Sequence, residues 1–136
     1  MNEGILKELL EEYTWFYRGV PGESEEVQEV ENFGEVTPTR PDRTGDEWRQ
    51  LHLAGETNTA YTSWTTDRSI AIDAASSMCD EEGLIAGIRV MRVRIDSLSD
   101  DRVFFGREDE YEYLIAGRVE DVTFSDNPAM DEEDDD

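Results

Sequence analysis

Three short stretches of the chain carry side chains able to handle a charged substrate. Tyr17-Arg18-Gly19 places a guanidinium between an aromatic ring and a glycine. A guanidinium is planar, always charged, and donates paired hydrogen bonds that match phosphate or carboxylate oxygens. Thr62-Ser63-Trp64-Thr65 sets three hydroxyls close together in a β-favouring run. Glu110-Tyr111-Glu112 separates two carboxylates by one residue, so on a strand both would project from one face. Carboxylates that share a face repel, which raises the pKa of at least one of them and makes that carboxylate a better base to orient or deprotonate a nucleophile. Taken singly, each stretch also has an ordinary reading. The first would be a surface Arg beside a turn, the second a strand with a helix cap, and the third an edge strand of alternating charge.

The elements that must position these residues are legible in outline. Ile5, Leu6, Leu9, Leu10 and Tyr13 recur at helical spacing, which predicts a helix over residues 3–13. The aromatic run before Gly19 predicts a short strand over 14–18, closed by a Gly-Val-Pro-Gly turn. Residues 20–45 are acidic and broken by Pro and Gly, so a long loop, or a loop with a short helix, is expected there. A short helix is expected over 45–53, and a strand over 60–65. The next helix, capped by Thr66 or Asp67, would place Ile70, Ala71, Ala74, Ala75 and Met78 on one face against a sheet. LIAGIRVMRVRI, residues 84–95, is the clearest strand. DSLSDDRVFFGRED reads as a loop, and YEYLIAG and RVEDVTF as two strands broken near Ala116-Gly117. Residues from Ser125 onward read as a polar, disordered tail.

In this order and context, the three stretches resemble the Arg–Ser–Glu branch of the ADP-ribosyltransferase family, which includes bacterial toxins and phage enzymes. The likeness spans roughly residues 13–124: an aromatic-Arg-Gly, then a Thr-Ser-x-Thr strand leading into a helix, then a Glu-x-Glu running into Tyr-Leu-Ile. It departs from the commoner Ser-Thr-Ser form, with Thr62 first and Trp64 third. The His–Tyr–Glu branch fits poorly, because the single histidine, His52, is on no matching motif and reads as a surface or half-buried helix residue.

The resemblance implies an α+β fold, with two small antiparallel-rich sheets packed around an NAD cleft and flanked by helices. That domain would cover residues 1–124, with the acidic tail over 125–136. It implies cleavage of the bond between nicotinamide and ribose through an oxocarbenium-like transition state, and transfer of ADP-ribose to an acceptor. NAD is then a substrate, and no metal is required. Arg18 would grip the diphosphate and Gly19 would offer its backbone to the nicotinamide carboxamide. Ser63 would floor the pocket and support the catalytic Glu112, with Thr62 and Thr65 supplying flanking hydroxyls. Trp64 would stack on nicotinamide or sit in the core, and the core is the preferred place. Glu112 would bond the ribose 2′-hydroxyl and stabilise the cation. Glu110 would act on the incoming nucleophile, which in this family usually accompanies transfer to a protein arginine. Glu108 is close enough to confuse the register, but the apolar run from Tyr113 favours Glu112 as the catalytic residue. An NAD glycohydrolase or an inactive NAD-binding relative on the same scaffold stays open. So does a cognate antitoxin or inhibitor as partner.

Composition narrows the remaining classes. At 136 residues, one domain is expected. The formal charge is −23, and the last eleven residues hold seven acids and no bases. The remaining body, with 28 acids against 12 bases, is still at −16. Lys7 is the only lysine beside eleven arginines. A solvated carboxylate surface suits high salt, which screens its self-repulsion. The other reading of the acidity is a decoy that mimics nucleic acid and blocks a basic partner. A basic groove for nucleic acid is excluded in either case. Cys79 is the only cysteine, so neither an internal disulfide nor a zinc site built on several cysteines is available. The start of the chain lacks a basic region followed by an apolar one, and no apolar run is long enough to span a bilayer. A cytoplasmic protein is expected.

Overall fold

Leucine spacing at the start of the chain produces helix α1 (Ile5–Glu12), which buries Leu6 and Leu9. Leu10, expected on the same stripe, is instead 44% exposed. The Leu6 N–H donates to Asp100 Oδ1 at 3.0 Å, so a carboxylate distant in sequence answers the unpaired amides of this helix end. The computed structural model describes residues 5–21, 25–56, 58–78, 88–107 and 111–125. Strand β1 (Trp15–Pro21) runs past Gly19 into the Val20-Pro21 pair that reads as a turn, because its partner strand continues to the same point. Helix α2 (Glu25–Phe33) forms inside the long acidic stretch by burying Val27 and Val30. Helix α3 (Asp46–Leu53), strand β2 (Tyr61–Thr65), helix α4 (Arg68–Met78) and strand β3 (Ile88–Arg94) follow in the expected order. Residues 79–87, with Cys79 and the first part of the expected 84–95 strand, lie outside the described residues.

Strand β4 (Val103–Phe105) overturns the loop expected there. Val103 is fully buried, and the strand pairs with β5 (Glu112–Ala116) from Val103↔Ile115 to Phe105↔Tyr113. The last expected strand shrinks to an isolated bridge, Val36↔Val119, and the short β6 (Thr123–Phe124). The break before it falls at Gly117, whose φ of 79° is the left-handed conformation that glycine adopts without strain. Ser125, assigned to the tail by sequence, is buried at 4%. Its N–H donates to the Val90 carbonyl at 2.7 Å and its own carbonyl accepts from Arg68 Nε at 2.9 Å. The folded segment therefore includes it, while residues 126–136 lie outside the described residues.

The six strands form one antiparallel sheet in the order β4-β5-β2-β1-β3-β6, not the two sheets expected. The reason is local. β1 and β3 pair along their whole length, from Trp15↔Arg94 to Pro21↔Ile88, and β2 and β5 pair from Tyr61↔Ala116 to Thr65↔Glu112. Between these two ladders, β1 meets β2 only at Tyr17↔Thr65. That single pairing joins two well-formed halves. One sheet face is covered by α1 and α2 over a core that includes Phe16, Trp64, Met91 and Ile115. The other carries α4 over Tyr17 and Val90, while Trp48 and Leu53 of α3 pack near Tyr61 and Leu114. Asp67 is the cap of α4: its Oδ1 accepts the N–H groups of Ser69 at 2.9 Å and Ile70 at 3.4 Å.

Candidate functional site

The near-separation of β1 from β2 creates the site. If the ladder continued past Tyr17↔Thr65, Gly19 would stand opposite Ser63. Instead the strands have parted there, and the Arg18 guanidinium crosses the gap, donating from Nη1 to the Ser63 carbonyl at 3.0 Å. Around the gap lies a cleft of about 420 Å³, within the usual size range of small-molecule sites. Its walls bring together Arg18 of β1, Ser63 of β2 and Glu112 of β5, with His52 of α3 and Glu26 of α2 beside them.

Arg18 is heavily engaged. Nε and Nη2 form a two-pronged pair with Glu26, at 2.9 and 2.7 Å, while Nη1 holds the Ser63 carbonyl. Each Nη keeps one further N–H for a ligand. Burial pushes the Glu26 carboxyl up, but the charge and hydrogen bonds of Arg18 outweigh it and hold the carboxyl below the usual carboxylate range. The two side chains are 21% and 28% exposed. The arrangement pins β1, β2 and α2 together and places a carboxylate on the edge of the guanidinium that suits a phosphate.

Glu112 is half-buried at the start of β5. Its Oε1 accepts the Arg107 N–H at 3.2 Å. The backbone around it closes with Gly106 N–H donating to the Glu112 carbonyl at 2.9 Å and Glu112 N–H donating to the Arg107 carbonyl at 3.0 Å. Gly106 leaves room for the Glu112 side chain, since an added Cβ would lie 2.8 Å from Glu112 Cγ and displace it. Tyr111, just before Glu112, takes a left-handed φ of 49°, which turns the chain into the strand. Glu110 and Glu108 lie outside the described residues.

The hydroxyl positions divide by strand alternation. Trp64 is 1% exposed and in the core, as preferred by sequence, and its Nε1–H donates to Thr62 Oγ1 at 2.8 Å. Thr65 Oγ1 accepts the Asp67 N–H at 3.1 Å at the start of the α4 turn. Gly19 lines the cleft, but the close approach it permits is to α4: an added Cβ would sit 2.0 Å from the Ala71 carbonyl oxygen.

His52, set aside by sequence, is half-buried in α3, as one of its two readings had it, but at the site itself. Nε2 lies 2.9 Å from Ser63 Oγ and Nδ1 lies 2.8 Å from Thr59 Oγ1. Burial lowers its pKa; Glu112 pulls it up, and Arg18 and Arg107 push it down. Nothing in the local sequence marks His52 or Glu26, because each reaches the cleft from a helix whose docking is a tertiary event. Arg107 stands at the rim, with its guanidinium donating to the Leu53 carbonyl. Among the described residues no group of three or more His, Cys, Asp and Glu could hold a metal. Among the same residues no helix is long and apolar enough to cross a membrane.

Comparison with protein families, with curated proteins and with solved structures gives no match.

Proposed function

We propose that this cleft binds NAD and transfers its ADP-ribosyl group to a macromolecular acceptor. The bond from ribose C1′ to the nicotinamide nitrogen breaks and nicotinamide leaves. C1′ bonds to the acceptor nucleophile, which gives up a proton. One observation carries the reading: Arg18, Ser63 and Glu112, far apart in the chain, line the same cleft. The roles divide by chemistry. The remaining N–H groups of Arg18 face anionic phosphate oxygens. The Glu112 carboxylate supplies negative charge near a developing oxocarbenium ion. Transfer to a protein arginine would rest on Glu110, outside the described residues. A cytoplasmic setting with a cognate antitoxin fits the reading.

The test is nicotinamide release from labelled NAD by wild type, Glu112→Gln and Arg18→Lys, at low and multimolar salt. Loss of the carboxylate should slow release at least about 100-fold with the fold intact. Undiminished release by Glu112→Gln would sink the proposal. Product analysis separates transfer from hydrolysis. A second reading has its own observation: Glu26 occupies the phosphate-matching edge of Arg18. If Glu26 never yields, the chain is an inactive relative, and calorimetry with NAD would record no binding.

A further inference from the structure

We infer that His52 is a positioning residue that fixes the polarity of the Ser63 hydroxyl: Nδ1–H donates to Thr59, and Nε2 takes the Ser63 proton. Ser63 therefore turns lone pairs, not a proton, toward the cleft. The chain of contacts carries this inference. Thr59 Oγ1 is fully buried, accepts the Tyr61 N–H at 3.2 Å and donates toward the Tyr61 carbonyl at 3.4 Å. With its proton directed at that carbonyl, the Thr59 hydroxyl offers the imidazole a lone pair, which assigns the hydrogen of the 2.8 Å contact to His52 Nδ1. A neutral imidazole has one N–H, so Nε2, 2.9 Å from Ser63 Oγ, is the acceptor. The ring is kept neutral by its surroundings: burial lowers its pKa first, and among the charged groups acting on it Glu112 opposes this while Arg18 and Arg107 reinforce it. The Tyr61 ring packs edge-on against the imidazole, with centroids 6.4 Å apart, and limits its rotation.

The consequence reaches the catalytic carboxylate. The Ser63 proton is spent on His52, so it is not available to hold Glu112. Glu112 is held by the Arg107 backbone N–H instead. Ser63 then serves as an acceptor for a donor on the bound substrate, such as a ribose hydroxyl or the carboxamide NH₂. Protonating the ring reverses the bond: Nε2–H would donate to Ser63, and the freed hydroxyl proton would face the cleft.

The kinetic arm of the test rests on the proposed activity, while the spectroscopic arm does not. The chain has one histidine, so a long-range ¹⁵N spectrum contains a single imidazole. A neutral Nδ1–H tautomer is expected at neutral pH, with an Nε2 resonance that moves in Ser63→Ala while Nδ1 stays protonated. A dominant Nε2–H tautomer, or a ring indifferent to Ser63→Ala, overturns the inference. In nicotinamide release, His52→Ala should lower kcat about tenfold in the wild-type background and less than about twofold in Ser63→Ala, a coupling expected only if His52 acts through Ser63. Equal losses in both backgrounds mean that His52 merely packs α3, and overturn it too. If wild type releases no nicotinamide, the proposed activity has failed, and the tautomer alone decides the role of His52.

Discussion

Substituting Gly19 with Ala separates two roles for this glycine, packing and substrate approach. An added Cβ would lie 2.0 Å from the Ala71 carbonyl oxygen, 2.8 Å from its carbon and 3.0 Å from Ala75 Cβ. Comfortable contact between such atoms needs about 3.5 Å, so α4 must retreat from β1 by more than about 1 Å. Ala71 and Ala75 are 2% and 0% exposed, and what stands in the way is helix backbone, which cannot swing aside as a side chain would. Overpacking of this kind costs about 1–3 kcal/mol, and rigid obstruction puts Gly19→Ala at the upper part of that range. The reduced freedom of the unfolded chain returns about 0.4–1 kcal/mol, leaving a net loss of about 2 kcal/mol. With a urea slope of about 1–3 kcal/mol per molar, the midpoint should fall by about 1 M. Urea unfolding followed by circular dichroism, in parallel with calorimetry for NAD, is the assay. If Gly19 served only to admit nicotinamide, the midpoint would stay within about 0.3 M of wild type while affinity fell. That pattern would refute the packing argument.

Other perturbations have equally directional outcomes. Gly106→Ala puts a Cβ 2.8 Å from Glu112 Cγ and 3.1 Å from Cδ, so nicotinamide release should fall about 100-fold while stability changes by only about 1 kcal/mol; release at the wild-type rate would mean that Gly106 does not set Glu112. Glu26→Gln should lower stability by about 1–2 kcal/mol, because it breaks a part-buried charge-assisted pair. The same change should tighten pyrophosphate and NAD binding about tenfold by freeing the Arg18 edge, and calorimetry showing weaker binding would contradict this. The pH dependence follows by sign. The Glu26 carboxyl is depressed in the fold, so its contribution is complete above the usual carboxylate range and is lost as pH falls through its lowered value. Glu26→Gln should flatten that acid limb in a pH series of urea melts. His52 is also lowered, so as pH drops below about 6.5 the unfolded chain takes up a proton that the fold refuses. Stability should decline through that window in wild type and not in His52→Gln.

The elements that follow from period and caps were legible: α1 from its leucines, β3 from its branched run, and α4 from Asp67 and the small residues behind it. Those that form only because a partner exists were not. Val103-Phe104-Phe105 is too short to announce itself and becomes β4 because β5 lies beside it. The short helix that the sequence allowed within residues 20–45 takes its place as α2 once a sheet face receives Val27 and Val30. Trp64 belongs to the core, since its strand position faces α1 and α2 and Thr62 satisfies its N–H. Gly19 lines the cleft and also admits the Ala71 backbone of α4, a second close approach that a sequence does not reveal. One sheet appeared where two were expected, because a single pairing, Tyr17↔Thr65, holds the halves together.

By itself the sequence marked three candidate side chains, Arg18, Ser63 and Glu112, and the strands on which they ride. Residue type and periodicity are local properties that place the strands and helices, while Arg18, Ser63 and Glu112 stood out through the family resemblance that their stretches carry in order. Tertiary structure decided where those side chains meet. The gap between β1 and β2 depends on where a ladder stops, and the Glu26 and His52 contacts depend on how α2 and α3 dock. Such contacts join residues from separately formed elements, and their geometry is set by packing across the whole fold rather than by any spacing along the chain.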